Sequence, residues 1–244
     1  EVTRMQATRI IAAVANVWRQ PNNTSIDTPA LANVGLQPWL AQLSDEDTVA
    51  LERDNRIVTQ ALFNDVFLVE QFVNGWAYGY VVNQADSRHP QGYPGWVWAA
   101  QLSTVPLPVQ TGPMITIRRG FTPLLCLDGR TFLNLSLGTE LPVISSKDHR
   151  YYTVQTPLGT GKIAKRATQF AFRTARLTPG ATLVRLGEEF LDLRYLWGGI
   201  SAYGFDCSGF VYTLHRSLGI RLPRDAQDQI KQGVAVDIAN AQLG

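Results

Sequence analysis

Cysteine and histidine are scarce in this chain. Cys126 and Cys207 are its two cysteines, too few for a disulfide framework or a four-thiolate zinc site. His89, His149 and His215 are scattered, and no pair sits at the spacing that places two metal ligands on one helix face. Charge is also sparse: 22 Lys and Arg stand against 20 Asp and Glu, a net of +2, which leaves no bulk field to attract nucleic acid. No apolar run approaches the roughly 20 residues of a membrane-spanning helix. The short run Ile10–Ala15, behind Arg4 and Arg9, falls below the length of a secretory apolar region and reads as a strand. The sequence opens on Glu1 rather than Met, so a processed or trimmed N-terminus is expected.

What is present suits packed cores: 45% of the residues are hydrophobic, with 20 Gly and 13 Pro as punctuation over 244 residues. That length fits one or two ordinary domains or three small ones. Pro106, Pro108, Gly112 and Pro113 break regular structure over residues 103–113, and Thr178-Pro179-Gly180 makes a second break. The expected segments are therefore 1–104, 105–175 and 178–244. The first two read as β, with short aromatic and β-branched runs such as Val66–Val73, Trp76–Val82, Met114–Ile117, Glu140–Ile144 and Tyr151–Val154 separated by Gly, Asn and Asp turns. An acidic insert, Ser44–Arg53, reads as a helix with Ser44 as N-cap and Asp47 three residues on. After the second break, Leu183, Leu186, Phe190 and Leu193 recur at helical spacing over Ala181–Leu193.

The chemistry concentrates at Arg194-Tyr195-Leu196-Trp197-Gly198-Gly199 and Tyr203-Gly204-Phe205-Asp206-Cys207-Ser208-Gly209-Phe210-Val211. A loop ends at Asp206; Phe210, Val211, Leu214 and Leu218 then form one helical face, with Gly219 as a stop. Cys207 thus opens a helix, where free N–H groups and the positive end of the dipole favour a thiolate and can receive an oxyanion. Read in isolation, a free cysteine is more often a small buried hydrophobe.

The two blocks, with Leu222-Pro223-Arg224-Asp225 after the helix, resemble the NlpC/P60 family of papain-like cysteine peptidases. The resemblance covers roughly residues 180–235. Val17–Pro21, Val58–Asp65 and Gly92–Val97 look like a bacterial SH3 domain with the enlarged loop found in some cell-wall hydrolases, and residues 105–175 are similar. The implied architecture is two small SH3-like β-barrels followed by an α+β papain-like domain that is incomplete at its C-terminus. The implied relatives are γ-D-glutamyl-L-diamino-acid endopeptidases.

The resemblance implies that Cys207 attacks a γ-D-glutamyl amide in a peptidoglycan stem peptide such as L-Ala-γ-D-Glu-diamino acid, without a cofactor or metal. Tyr195 is the implied phenol donor beside the oxyanion or the substrate. Asp206 and Ser208 would hold the D-glutamyl carboxylate or substrate backbone, or else cap the helix. Asp225 would pair with a free amine, and Arg224 with a carboxylate or with its neighbour. Tyr93 and Asp65 are candidates for contact with the N-terminus of the peptide. Ala226 stands where the family often has Ser, at the expense of one hydrogen bond.

A catalytic histidine is expected on a strand beyond the nucleophile helix, yet 37 residues follow Cys207 and His215 is the histidine among them. Eight residues along the same helix, it lies about 12 Å away at 1.5 Å per residue, too far to serve as base. His89 and His149 read as turn or surface residues. The expectation is that the sequence is part of a longer protein, and that the apolar face of the nucleophile helix is left without its sheet. The rival reading is a non-catalytic wall-binding or adaptor protein with a degenerate third domain. A monomer in the bacterial periplasm or secreted to the cell envelope is expected, with a cytoplasmic recycling role as the alternative.

Overall fold

The computed structural model describes residues 5–21, 24–104, 112–170 and 180–242. Most of the two expected boundaries, residues 105–111 and 171–179, lies outside the described residues. The first sheet contains β1 (Gln6–Arg9), β2 (Val14–Trp18), β3 (Ile57–Leu62), β4 (Val66–Val73), β5 (Trp76–Val81) and β6 (Tyr93–Trp98), in the order β1-β4-β5-β6-β2-β3. Every pairing is antiparallel. β4 and β5 are joined by Asn74-Gly75, both at positive φ (48° and 82°), the two-residue turn whose twist matches the flanking strands.

Ile10–Ala15 is not one strand. β1 ends at Arg9, Ile10 makes an isolated bridge to Leu102, and the chain bends at Ala12-Ala13 before β2. β1 pairs with β4 while β2 pairs with β3 and β6, so this segment must cross the sheet between separate partners. Its apolar character comes from that buried crossing: Ala12 and Ala13 are fully buried.

Between β2 and β3 lie α1 (Gln37–Leu40) and α2 (Asp45–Arg53). Ser44 caps α2 in a reciprocal box with Asp47, Ser44 Oγ accepting from Asp47 N at 3.1 Å and Asp47 Oδ2 accepting from Ser44 N at 2.9 Å. The insert carries Trp39 edge-on to Trp18, which meets Trp76 in the same way (centroids 6.3 and 6.4 Å). Leu196, Ile200, Tyr203 and Tyr212 from the last segment join this cluster. Each such buried large apolar side chain stabilises by about 1.5–3 kcal/mol.

The second sheet contains β7 (Met114–Ile117), β8 (Phe121–Leu125), β9 (Thr131–Ser136), β10 (Glu140–Ser145), β11 (Tyr151–Thr156), β12 (Gly159–Ala164) and β13 (Thr168–Phe170), in the order β13-β7-β10-β11-β12-β8-β9. The last segment has α3 (Gly180–Glu188), a hairpin of β14 (Ile200–Ser201) and β15 (Gly204–Phe205), α4 (Cys207–Ser217) and α5 (Ala226–Gln229). α3 stops five residues before Leu193, where the helical spacing predicts its end; Asp192 takes a positive φ of 65° and the chain turns.

α4 corrects the expected apolar face. Of Phe210, Val211, Leu214 and Leu218 only Leu214 is buried, while Tyr212, Thr213, Arg216 and Ser217 are covered. Phe210 and Leu214 pack toward α3 with Leu186 and Phe205. The opposite face is polar: Thr213 Oγ1 donates to Ile200 O of the β14–β15 hairpin (2.7 Å) and Tyr212 OH to Asn83 O in the loop after β5 (3.1 Å). Arg216, 1% exposed, ion-pairs with Asp65 in the β3–β4 turn and lies 3.7 Å from Glu140 of β10. Glu140 also takes a bidentate contact from Arg221 (2.7 Å), and Asn64 Nδ2 donates to Glu140 O (2.8 Å). The polar face of α4 is thus held by an ionic junction with both sheets, while Val211 on the apolar face stays 38% exposed.

Removing Asp65 leaves the Arg216 charge buried beside Glu140 alone. Asp65→Ala is expected to destabilise the protein by about 3–5 kcal/mol in urea unfolding, and Asp65→Leu with Arg216→Met to recover most of that loss.

Candidate active site

The local fold places Cys207 by closing the loop before it. Leu196 N donates to Phe205 O and Asp206 N to Gly199 O, both at 3.1 Å, so the Trp197-Gly198-Gly199 turn lies directly against the start of α4. Asp206 is the N-cap, its Oδ1 accepting from Gly209 N at 2.7 Å. A Cβ on Gly209 would lie 2.0 Å from Gly199 O, so glycine is required by close approach. Cys207 is then the first residue of α4 and is exposed; Cys126 is half-buried on the second sheet.

Arg224, 1% exposed, holds this arrangement from below. Its Nη2 donates to Asp206 Oδ2 (2.6 Å), Nη1 to Asp206 Oδ1 (3.2 Å) and Ser208 Oγ (2.9 Å), and Nε to Thr59 Oγ1 of β3 (2.9 Å). Burial works against its charge, and Asp206 outweighs that to raise its pKa. The structure commits Arg224, Asp206 and Ser208 to one another, so the groove receives their positioning rather than free donors.

A groove of about 610 Å³ opens over Cys207. Trp197, Cys207, Asp225 and Ala226 line it together with Tyr78 and Tyr93 of the first sheet and Arg88 and His89 of the loop before β6. Tyr93 OH donates to Asp225 Oδ1 (2.9 Å) and lies 3.2 Å from Oδ2. Burial, then the Asp225 charge, pushes the Tyr93 phenol up, so it stays protonated. The loop before β6 is fastened across the groove's end: Arg224 N donates to Ala85 O and Ser87 N to Asp228 Oδ2, each at 3.1 Å. Burial raises the Asp86 pKa, but hydrogen bonds from Arg88 and His89 outweigh it and hold the carboxyl below its usual range.

The sequence-derived candidates divide cleanly. Cys207, Asp206, Ser208, Arg224, Asp225 and Tyr93 line one groove. Tyr195, 45% exposed, borders a small apolar pocket with Leu40, Leu43 and Tyr203. Its phenol is pushed up to about 12 by burial, and next by the Asp206 and Cys207 charges. Asp65 does not line the groove; it is buried in the β3–β4 turn against Arg216, with its Oδ2 accepting from Leu62 N (2.9 Å). His215 Nδ1 faces Val211 O of its own helix at 2.8 Å.

Sequence reasoning missed Arg88, His89, Trp197 and Asn55, all of which line the groove. Trp197 Nε1 donates to Asn55 Oδ1 at 2.9 Å. The available signal for the first two was the charged run Asp86-Ser87-Arg88-His89 ahead of Pro90 and Gly92. Among the described residues, no group of three or more His, Cys, Asp or Glu side chains could hold a metal.

Two outcomes follow from this geometry. Gly209→Ala is expected to cost about 1–3 kcal/mol or more by overpacking, read by thermal melting, and to alter Cys207 alkylation because the cap must move. Tyr195, followed by ring-carbon NMR, should titrate near 12 rather than 10. Its folded value is raised, so the stability contributed by the neutral phenol is complete below pH 10 and is lost as pH rises through 12.

Residues 192–244 match the model of the NlpC/P60 family. The γ-D-glutamyl-L-lysine dipeptidyl-peptidase of Bacillus subtilis is 34% identical over 238 residues, spanning 96% of this chain and 79% of that protein. Its Bacillus cereus counterpart is 32% identical over 244 residues, spanning 96% and 73%. The crystal structure of an NlpC/P60 family protein from Bacillus cereus superposes with a TM-score of 0.87 at 30% identity, covering 98% of this chain and 81% of that one. The similarity runs through both sheets as well as the segment bearing Cys207, and the chain belongs to the NlpC/P60 family.

Proposed function

We propose that the protein is a cysteine peptidase that cleaves the γ-D-glutamyl–L-diamino-acid bond of peptidoglycan stem peptides carrying a free N-terminus. The observation that carries this reading is an exposed Cys207 at the start of α4, opening onto a groove with the Tyr93–Asp225 pair on its wall. The resemblance to γ-D-glutamyl-L-lysine dipeptidyl-peptidases over nearly the whole chain supports the substrate class.

In this reading the Cys207 sulfur attacks the γ-carbonyl carbon of D-glutamate. The N–H groups at the open end of α4, which have no acceptor within the helix, receive the oxyanion. The C–N bond then breaks, the diamino acid leaves as an amine with a proton from the general acid, and a thioester remains. Water cleaves the thioester, restoring the thiol and releasing the γ-carboxylate. The Tyr195 phenol borders the neighbouring apolar pocket, and its pKa is raised by burial and then by the Asp206 and Cys207 charges; in this reading it is the neutral donor nearest the nucleophile. Asp225 takes the free ammonium of the peptide, with the Tyr93 hydroxyl fixing its carboxylate. His215 is not the base, since it faces its own helix backbone. That role belongs to the histidine which the resemblance places on a strand beyond the nucleophile helix.

Full-length protein incubated with L-Ala-γ-D-Glu-L-Lys is expected to release L-Ala-γ-D-Glu, and Cys207→Ala to reduce release at least about a thousandfold, as for loss of a covalent nucleophile. Blocking the peptide's amine should raise KM more than it lowers kcat. Release that survives Cys207→Ala, or cleavage at another bond, would overturn the reading.

A further inference from the structure

The small net charge conceals a division along the chain. Residues 112–170 carry eight Lys and Arg against three Asp and Glu, whereas the remainder carries fourteen against seventeen. All three acids are engaged: Glu140 is buried beside Arg216 and Arg221, Asp128 pairs with Arg130, and Asp148 Oδ1 accepts from the N–H groups of Arg150 (2.7 Å) and Tyr151 (3.0 Å). The second sheet therefore presents a positive surface inside a nearly neutral chain.

The cations converge at one end of that sheet. The β10–β11 loop supplies Lys147 and Arg150, and the turn after β12 supplies Lys165 and Arg166. Loop and turn are fastened together, Lys165 N donating to Arg150 O and Lys165 Nζ to Ser146 O, both at 2.9 Å. Beside them a cleft of about 380 Å³ is lined by Arg119, Phe121, Pro123, Ala164 and Arg166. Among the described residues, none of Lys147, Arg150, Lys165 and Arg166 makes an ion pair, and Arg119 meets Glu189 at 3.2 Å with both side chains exposed. Like charges gathered on one surface repel, and an anion laid across them relieves that repulsion.

The surroundings narrow the kind of anion. The loop reads Ser146-Lys147-Asp148-His149-Arg150 and offers a bilayer no apolar side chain to take in, while the exposed Leu127 and Leu158 stand at the β8–β9 and β11–β12 turns, at the far end of the sheet. The rings that meet these cations are engaged, Tyr152 with Lys165 (4.9 Å) and Phe170 (5.5 Å), and Phe121 with Tyr203 (4.7 Å), which leaves little for nucleobases to stack on. Arginine forks match phosphate oxygens, and cations arriving from separate loops follow charge along a flexible chain rather than the outline of one head group. We propose that this end of the second sheet is a docking surface for a phosphodiester polymer that carries no bases, a polyol-phosphate chain crossing the cleft between Arg119 and Arg166 and continuing over Lys165, Arg150 and Lys147. The assignment is independent of the groove over Cys207 and of the reaction proposed there.

The test is binding of the full chain to a fluorescent glycerol-phosphate oligomer, read by anisotropy, with an oligothymidylate of the same charge, poly-L-glutamate and phosphatidylglycerol vesicles as competitors. The oligomer is expected to bind more tightly than any competitor, with an affinity that falls as about the third power of salt concentration, as four phosphate contacts on a flexible chain give at roughly 0.7 per contact. Arg150→Glu with Arg166→Glu should weaken binding at least about tenfold. The same change of charge placed elsewhere, Arg53→Glu with Arg130→Glu, should leave it within about twofold. All four side chains are exposed, so both double variants should melt with the parent. Equal weakening by the two double variants reduces the effect to net charge and overturns the assignment, as does an absence of binding by the parent. Tighter binding of a competitor overturns the choice of partner.

Discussion

The Arg224–Asp206 ion pair is the contact on which the rest of the site depends. One buried guanidinium neutralises the carboxylate that caps α4, orients Ser208 and reaches Thr59 of the first sheet. Thr59 passes the connection on, since its hydroxyl donates to Gln84 Oε1 (2.7 Å), and Gln84 Nε2 donates to Gln60 O (2.6 Å). Gln60 in turn accepts from Ile200 N (3.1 Å) and Ser201 Oγ (2.8 Å) in the hairpin ahead of the nucleophile. The polar groups form a chain that starts and ends in the last segment and runs through the first sheet between. Such a network is strong only when its members are satisfied together, which ties the position of Cys207 to the packing of a sheet far away in sequence.

A second ionic contact secures the other end of the same helix. Arg216 is deep between Asp65 and Glu140, one from each sheet, and Arg221 supports Glu140 from the rim. α4 is therefore held at its start by Arg224 and near its end by Arg216, with an apolar face toward α3 and a polar face toward the sheets. That division explains why a helix with only a modest apolar stripe is nonetheless largely covered. Buried charges of this type contribute specificity of placement more than net stability.

Much of the local structure was legible from residue patterns. The β4 and β5 runs, the Ser44 cap with Asp47, and the helix start at Asp206 follow from alternation, capping chemistry and a terminal glycine, all short-range signals. β12 escaped because Gly159, Gly161 and Lys162 hide the alternation, and β13 because three residues are too few to show any; Gly161 is there because a Cβ would meet Leu124 at 2.8 Å. The apolar Ile10–Ala15 run misled because burial alone does not distinguish a strand from a crossing. In the site, the nucleophile and its flanking residues were readable because they are contiguous. Asp65 looked like a ligand-facing turn acid and proved to be a buried counter-ion, a distinction set by Arg216 at a separation of 151 residues. Arg88 and His89 read only as part of a charged turn for the same reason: the folded loop is what brings this segment to Asp225 and Asp228.

The long-range origin of the groove also governs when it can come into being. Tyr93 and Asp225 are 132 residues apart, Ser87 and Asp228 are 141, and Thr59 and Arg224 are 165. Contacts so distant along the chain close late, after the loop entropy between them has been overcome. A nascent or partly unravelled molecule with either wall alone has no cleft, so ligand capture and completion of folding are a single thermodynamic event, and an occupied cleft is itself a brace against unravelling.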